Sequence, residues 1–193
     1  MRLARAFFER DTLEVAKALL GKRLIRKTED GAAAIGIIVE TEAYRGRFDK
    51  AAHTYKGKSA RTEVIFGPKG HAYIYLIYGM YHCLNITCGP EDEPECVLIR
   101  ALEPIEGLTH MHKRRRTQKT KNLCSGPGKL CMALELSREQ NGEDFCTGQI
   151  LYLEEGENPP EITASPRINI GYAEEAIEYP WRFTIANSPF VSK

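Results

Sequence analysis

Two acids, Glu40 and Glu42, close an otherwise apolar run over residues 32–44. Extended backbone alternates its side chains, so both carboxylates face one side of a strand. Acids in this position are either solvated at a sheet rim or set into a site. In a site, a carboxylate can hold and deprotonate a water, which is what a hydrolysis needs. Alternation does not choose between the two. Arg100 stands inside a second apolar run, residues 96–102. Burying an unpaired guanidinium is very costly, so Arg100 must reach solvent or a carboxylate. Glu40 and Glu42 are its natural partners, as a structural ion pair or as two groups gripping one water.

A second cluster is aromatic. Tyr78-Gly79-Met80-Tyr81 separates two strand-like runs, residues 71–77 and 82–87, which read as a β-hairpin with Gly79 in the turn. Turns favour small polar residues, and Tyr78, Met80 and Tyr81 are large. Such a tip either packs back on the protein or enters a minor groove and parts stacked bases. Tyr73 and Tyr75 share one strand face, as core or as pocket wall. His53 follows Ala51-Ala52 in a loop, and a lone loop histidine is ordinarily plain surface. Gly126-Pro127-Gly128, followed by Lys129, opens a helix and could offer backbone N–H groups to a phosphate.

The 193 residues carry a net charge of only +1, but unevenly. Residues 1–134 hold 23 Lys and Arg against 15 Asp and Glu, a net of +8; the remainder is −7. Between residues 107 and 134 there are seven basic residues and no acid, with Arg114, Arg115 and Arg116 consecutive. Nucleic-acid binding needs such a local footprint rather than a high overall charge; a solvated loop without a partner is the alternative. No run of about eighteen apolar residues suggests a membrane span. The charged N-terminus lacks signal-peptide character, which places the protein inside the cell. The six cysteines form no Cys-x-x-Cys pair and read as reduced, buried thiols, and no metal or cofactor is expected.

These residues need elements to position them. Asp11 caps a helix through about Leu20, with Gly21 as its stop. Residues 22–27, 32–44, 71–77, 82–87, 96–102, 150–153, 167–170 and 182–185 read as strands. A helix is expected from 104 into the basic tract, and another opened by residues 125–130 and running through about 136. Strands outnumber helices and neighbours are hairpin-linked. The expected fold is α+β: one mixed domain over residues 1–193, around a curved, mostly antiparallel sheet with a protruding hairpin.

Taken in order, these stretches resemble a known family. They are Val39-Glu40-Thr41-Glu42-Ala43-Tyr44, Ala51-Ala52-His53, Arg61-Thr62-Glu63-Val64-Ile65-Phe66-Gly67, Tyr73-Ile74-Tyr75-Leu76-Ile77-Tyr78-Gly79-Met80-Tyr81, Cys83-Leu84-Asn85, Val97-Leu98-Ile99-Arg100-Ala101-Leu102-Glu103-Pro104 and Leu123-Cys124-Ser125-Gly126-Pro127-Gly128-Lys129-Leu130. The pattern is similar to the alkyladenine (3-methyladenine) DNA glycosylases, and the compact chain resembles a bacterial member. Ser59-Ala60 departs from the family's frequent Thr-Pro.

The resemblance implies a monofunctional, monomeric enzyme that flips damaged purines from double-stranded DNA and hydrolyses their bond to the sugar. It implies Glu42 as general base with Arg100 as its partner, which decides between the two acids. Tyr44 and Tyr75 would stack on the flipped base, His53 would lie at its edge, and Asn85 would exclude the amine of guanine. Tyr78 would fill the gap left in the duplex. Met80, Tyr81, Arg114, Arg115, Arg116 and Lys129 are expected at the DNA. Two rivals remain: a non-catalytic nucleic-acid-binding module using the same basic tract and hairpin, and a hydrolase of free nucleosides, which would leave the tract and the hairpin tip without a purpose.

Overall fold

The computed structural model describes residues 1–28 and 31–192. Eight strands form one sheet: β1 (Arg23–Lys27), β2 (Ala33–Tyr44), β3 (Ala72–Ile77), β4 (Tyr81–Cys88), β5 (Glu95–Glu106), β6 (Leu151–Glu154), β7 (Ile162–Ser165) and β8 (Arg182–Ile185). The main path runs β3-β4-β5-β2-β1-β6, with β8 joined to β2 and β7 to β8. Every pairing is antiparallel. The α+β expectation holds.

Strand β2 organises the molecule. β5 follows it along one edge from Ile35 to Tyr44. Its other edge is shared: β1 pairs with residues 33–37 and β8 with residues 40–42. Both Glu40 and Glu42 therefore lie on a stretch hydrogen-bonded from two sides. Register irregularities between β2 and β5 at residues 35/36, 38/40 and 40/41 bend the sheet at this point.

One face of the sheet carries the helices α1 (Arg5–Phe8), α2 (Thr12–Ala18), α3 (Leu108–Arg115) and α4 (Pro127–Ala133) and the main apolar core. Asp11 caps α2, accepting from the N–H groups of Leu13 and Glu14. Leu19 and Leu20, just after α2, are fully buried beside Val15 and Ala16. Thr41 points toward this face and donates its hydroxyl to the Ala16 carbonyl at 2.8 Å. Alternation then turns Glu40 and Glu42 to the opposite face. All six cysteines are free thiols, five of them buried. Among the described residues no helix is long and apolar enough to cross a membrane.

Two expected elements are corrected. No helix begins at Pro104: β5 runs on to Glu106 and α3 starts at Leu108. Strand β4 leaves β5 after Leu98, so Pro104 sits where β5 has lost one neighbour and a missing N–H is tolerated. Residues 167–170 are not a strand. Asn169 takes a left-handed φ of 60°, and the Ile168 N–H is spent on the Glu42 side chain rather than on a ladder. The strand lies just earlier, as β7, paired with β8.

Candidate active site

Glu40 and Glu42 are both fully buried, and Arg100 nearly so. The two acids are partnered differently. Glu40 Oε1 accepts from Arg100 Nε at 2.9 Å, Arg182 Nε at 2.7 Å and Ser192 Oγ at 2.9 Å. Its Oε2 accepts from the Ser192 N–H at 2.6 Å. Glu40 thus ties β5, β8 and the C-terminal segment together. Glu42 has fewer donors: the Ile168 N–H at 2.7 Å and Arg100 Nη1 at 3.4 Å on Oε1, and the Tyr44 hydroxyl at 2.8 Å on Oε2. Burial works against the charge of Arg100, but the Glu42 and Glu40 carboxylates outweigh it and hold its pKa above the ordinary arginine value.

In front of this group opens a cavity of about 780 Å³. Arg100, Ser192 and Tyr44 reach its floor, and Glu42 lies directly behind them. The walls are aromatic. The His53 ring stands edge-on to Tyr75, centroids 4.6 Å apart, and His53 Nδ1 lies 2.9 Å from the Tyr73 hydroxyl. Tyr73 and Tyr75 are 5.4 Å apart. The Asn85 amide donates to the Tyr73 carbonyl at 3.1 Å, which fixes its side chain in the wall. Desolvation by these walls, helped by the nearby Arg61 guanidinium, pushes the His53 imidazole down to about 4. Burial and then the Glu42 charge push the Tyr44 hydroxyl well above its ordinary value, so it remains a hydrogen-bond donor. Burial likewise raises Tyr73 and Tyr75.

The hairpin borders the mouth of the cavity. Tyr78 and Met80 are 73% and 64% exposed, so the tip does not pack back on the protein. Tyr78 has φ 53° and Gly79 φ 69°, the left-handed pair that a tight hairpin turn demands. In a tyrosine that conformation costs about 1–2 kcal/mol. Tyr81 differs from its neighbours at the tip. It packs over Gly128 at the start of α4, where an added Cβ would come within 3.0 Å of the Tyr81 side chain.

The structure divides the basic tract. Arg114 pairs with Glu135 and donates to the Ala133 carbonyl at 3.3 Å. Arg115 donates to the Leu123 carbonyl at 3.0 Å and borders the cavity mouth together with Lys129. Arg116 ends α3 with φ 49° and is exposed.

Several contributors were not singled out from the sequence. Arg182 carried the same signal as Arg100, a cation between apolar strand neighbours. Ser192 and Ile168 act partly through backbone N–H groups, for which no residue type is diagnostic. Arg61 lies over the Tyr75 ring at 4.8 Å from a loop position without a local signature. Arg167 forms a fully buried bidentate pair with Asp49, at 2.5 and 2.8 Å, and stacks 4.8 Å from the Tyr44 ring. Its apolar neighbours had suggested a strand instead.

Comparison with known proteins gives the same direction. Residues 6–189 match the family described as Methylpurine-DNA glycosylase (MPG). A protein of Bacillus cereus (strain ATCC 10987 / NRS 248), named "Putative 3-methyladenine DNA glycosylase", is 52% identical over 206 aligned positions that span 100% of both chains. Identically named proteins of Bacillus cytotoxicus and Bacillus thuringiensis (strain Al Hakam) are each 51% identical, again over 100% of both chains. The chain belongs to the methylpurine-DNA glycosylase family, hydrolases that cleave the N-glycosidic bond of alkylated bases in DNA.

Proposed function

We propose that residues 1–193 act as a monomeric, monofunctional glycosylase that flips alkylated or deaminated purines out of duplex DNA. The class comprises 3-methyladenine, 7-methylguanine, hypoxanthine and ethenoadenine. One observation carries this reading: the Glu42–Arg100 pair lies directly behind an aromatic cavity whose mouth bears an exposed hairpin tip.

The chemistry follows from that order of parts. Alkylation at N3 or N7 makes a purine cationic, which improves it as a leaving group and draws it to aromatic faces. The flipped base enters between Tyr44 and the His53–Tyr75 pair. His53, neutral at pH 7, adds no repelling charge at its edge. Glu42 accepts a proton from the attacking water, held on the cavity side with Arg100 close by. The carboxylate also offsets the positive charge that develops on the sugar. Asn85, fixed in the wall, crowds the exocyclic amine of guanine. Tyr78 fills the space the base leaves, which lowers the few kcal/mol that flipping costs.

Single-turnover base release from duplexes carrying one defined lesion each tests the reading. Alkylated purines should be released, and an unmodified duplex should not. Asn85→Ser in the same panel should gain release of mismatched guanine. Failure to release any of the four lesions would refute the proposed substrate class, and an unchanged range in Asn85→Ser would remove its gatekeeping role.

A further inference from the structure

The Tyr44 hydroxyl has no part in stacking, yet it makes the one hydrogen bond to Glu42 Oε2 among the described residues, at 2.8 Å. The other oxygen, Oε1, is held by the Ile168 N–H and Arg100. Without the hydroxyl, the Glu42 carboxylate would be fixed on one side only.

Tyr44 is itself pinned at both ends. Its hydroxyl is bound to Glu42, and Arg167, locked by the buried pair with Asp49, stacks 4.8 Å from its ring. Arg167 covers one face of a ring that also borders the cavity. The two functional parts of this side chain therefore point to different tasks.

We propose that Tyr44 is a positioning residue for the reaction: its hydroxyl orients the Glu42 carboxylate, separately from any stacking by its ring. The inference rests on the proposed role of Glu42 as base. The hydroxyl, held protonated by burial and by Glu42 itself, is available to donate. A carboxylate oxygen has two lone pairs. Tyr44 occupies one on Oε2 and leaves the second for a water.

The other charged and titratable groups around Glu42 come from five parts of the chain. They are Glu40 on its own strand, Arg100 on β5, Cys83 on β4, Arg167 and Tyr172 in the segment after β7, and Arg182 on β8 reached through Glu40. Burial raises the Cys83 thiol and the Tyr172 hydroxyl, so neither adds a charge near neutral pH. Arg100 stays charged, because the two carboxylates hold its pKa above the ordinary arginine value. Of the two side-chain donors to Glu42, Arg100 and Tyr44, only the Tyr44 hydroxyl can be deleted without changing the local charge.

Tyr44→Phe keeps the ring and its contact with Arg167 and removes only the donor. On a duplex carrying one 7-methylguanine, lesion affinity should stay within about twofold. Single-turnover release at neutral pH should fall about tenfold, a part of the 10²–10⁴-fold that a positioned base supplies. Glu42→Gln/Tyr44→Phe should be no slower than Glu42→Gln, because the hydroxyl acts through Glu42. A Tyr44→Phe protein with the parent rate overturns the proposal. So does a Glu42→Gln/Tyr44→Phe protein slower than Glu42→Gln, the mark of a merely structural role. The two layers separate cleanly. Full activity in Glu42→Gln sinks the base assignment and this inference with it. An inactive Glu42→Gln beside a parent-like Tyr44→Phe sinks this inference alone.

Discussion

The floor of the cavity and its rim are built on opposite terms. At the floor, the charged groups of Glu40, Glu42, Arg100 and Arg182 are all met by protein partners within hydrogen-bonding or ion-pair distance. At the rim, Tyr78, Met80 and Lys129 are left exposed. A buried charge must be paired where it stands, so the floor is complete in the free protein. An exposed apolar tip beside cations is completed only by something that brings both stacked apolar surface and negative charge, and duplex DNA does. Loss at the floor should therefore appear as lost chemistry or lost stability. Loss at the rim should appear as lost duplex engagement.

The sharpest test of that division lies within the floor, between two acids two residues apart. Glu42→Gln keeps the shape but cannot take a proton, so base release should collapse by about 10²–10⁴-fold while lesion binding survives. Glutamine can still accept from the Ile168 N–H and meet the Tyr44 hydroxyl, so melting should change little. Glu40→Gln should behave in the reverse way. Its new amide would face donors on every side, namely Arg100, Arg182 and Ser192. Breaking a buried pair costs about 3–5 kcal/mol, which for a chain of this size lowers Tm by about 10 °C. Thermal melts and single-turnover rates on one alkylated duplex separate the two outcomes. A collapse of release in Glu40→Gln at unchanged Tm would mean that the wrong acid carries the chemistry.

How much of this was legible depends on where each residue finds its partner. The hairpin, β2 and the capped α2 follow from local periodicity and punctuation, and their bounds agree with the pattern to within a few residues. Arg100 was readable because a cation in an apolar strand demands a carboxylate. The choice of Glu42 over Glu40 was not readable from alternation, since both face one side; only the family pattern made it. The segment over residues 167–170 misled for a physical reason. Its apolar residues look like a strand, but Arg167 and Ile168 bond to Asp49 and Glu42, more than 100 residues away. Ser192 was invisible for the same reason.

At the rim, Tyr78→Ala removes the proposed plug and leaves the floor untouched. If the ring offsets about 1.4 kcal/mol of the flipping cost, release from duplex should slow about tenfold. Release from a single strand carrying the same lesion should change far less. An equal loss on both would move the effect from the rim to the fold, and a circular dichroism melt would expose it.

The basic tract gives a smaller effect, and the structure divides it. Arg116 is free to meet a phosphate, whereas Arg114 is committed to Glu135 and the Ala133 carbonyl. Arg116→Ala should therefore lower the log–log salt slope of duplex binding by about 0.9, the value of one phosphate contact. Arg114→Ala should leave the slope nearly unchanged. Lesion preference should not move in either, because phosphate contacts carry no base information. Equal slopes for Arg116→Ala and the parent would take the tip of α3 out of the interface.

The smallest effect concerns a single proton at the boundary between floor and rim. His53 stands in the cavity wall, and desolvation there, with Arg61 as the second cause, pushes its imidazole down to about 4. Histidine in an unfolded chain titrates near 6.5. Between those values the unfolded chain binds the proton and the folded one does not. His53 therefore withdraws stability as the pH falls from about 6.5 towards about 4, and is neutral at physiological pH. That neutrality matters for the proposed substrates, since an imidazolium at the pocket edge would repel a cationic purine. Proton–nitrogen NMR should follow the His53 ring through a titration with its midpoint well below 6.5. Arg61→Ala should raise that midpoint modestly, because it removes the lesser of the two causes and leaves the walls in place. The rate profile for an alkylated duplex should show no inflection near 6.5 that His53→Asn abolishes. A midpoint at or above 6.5 would put a charge in the wall at working pH, and the cavity would then be better suited to neutral lesions than to alkylated ones.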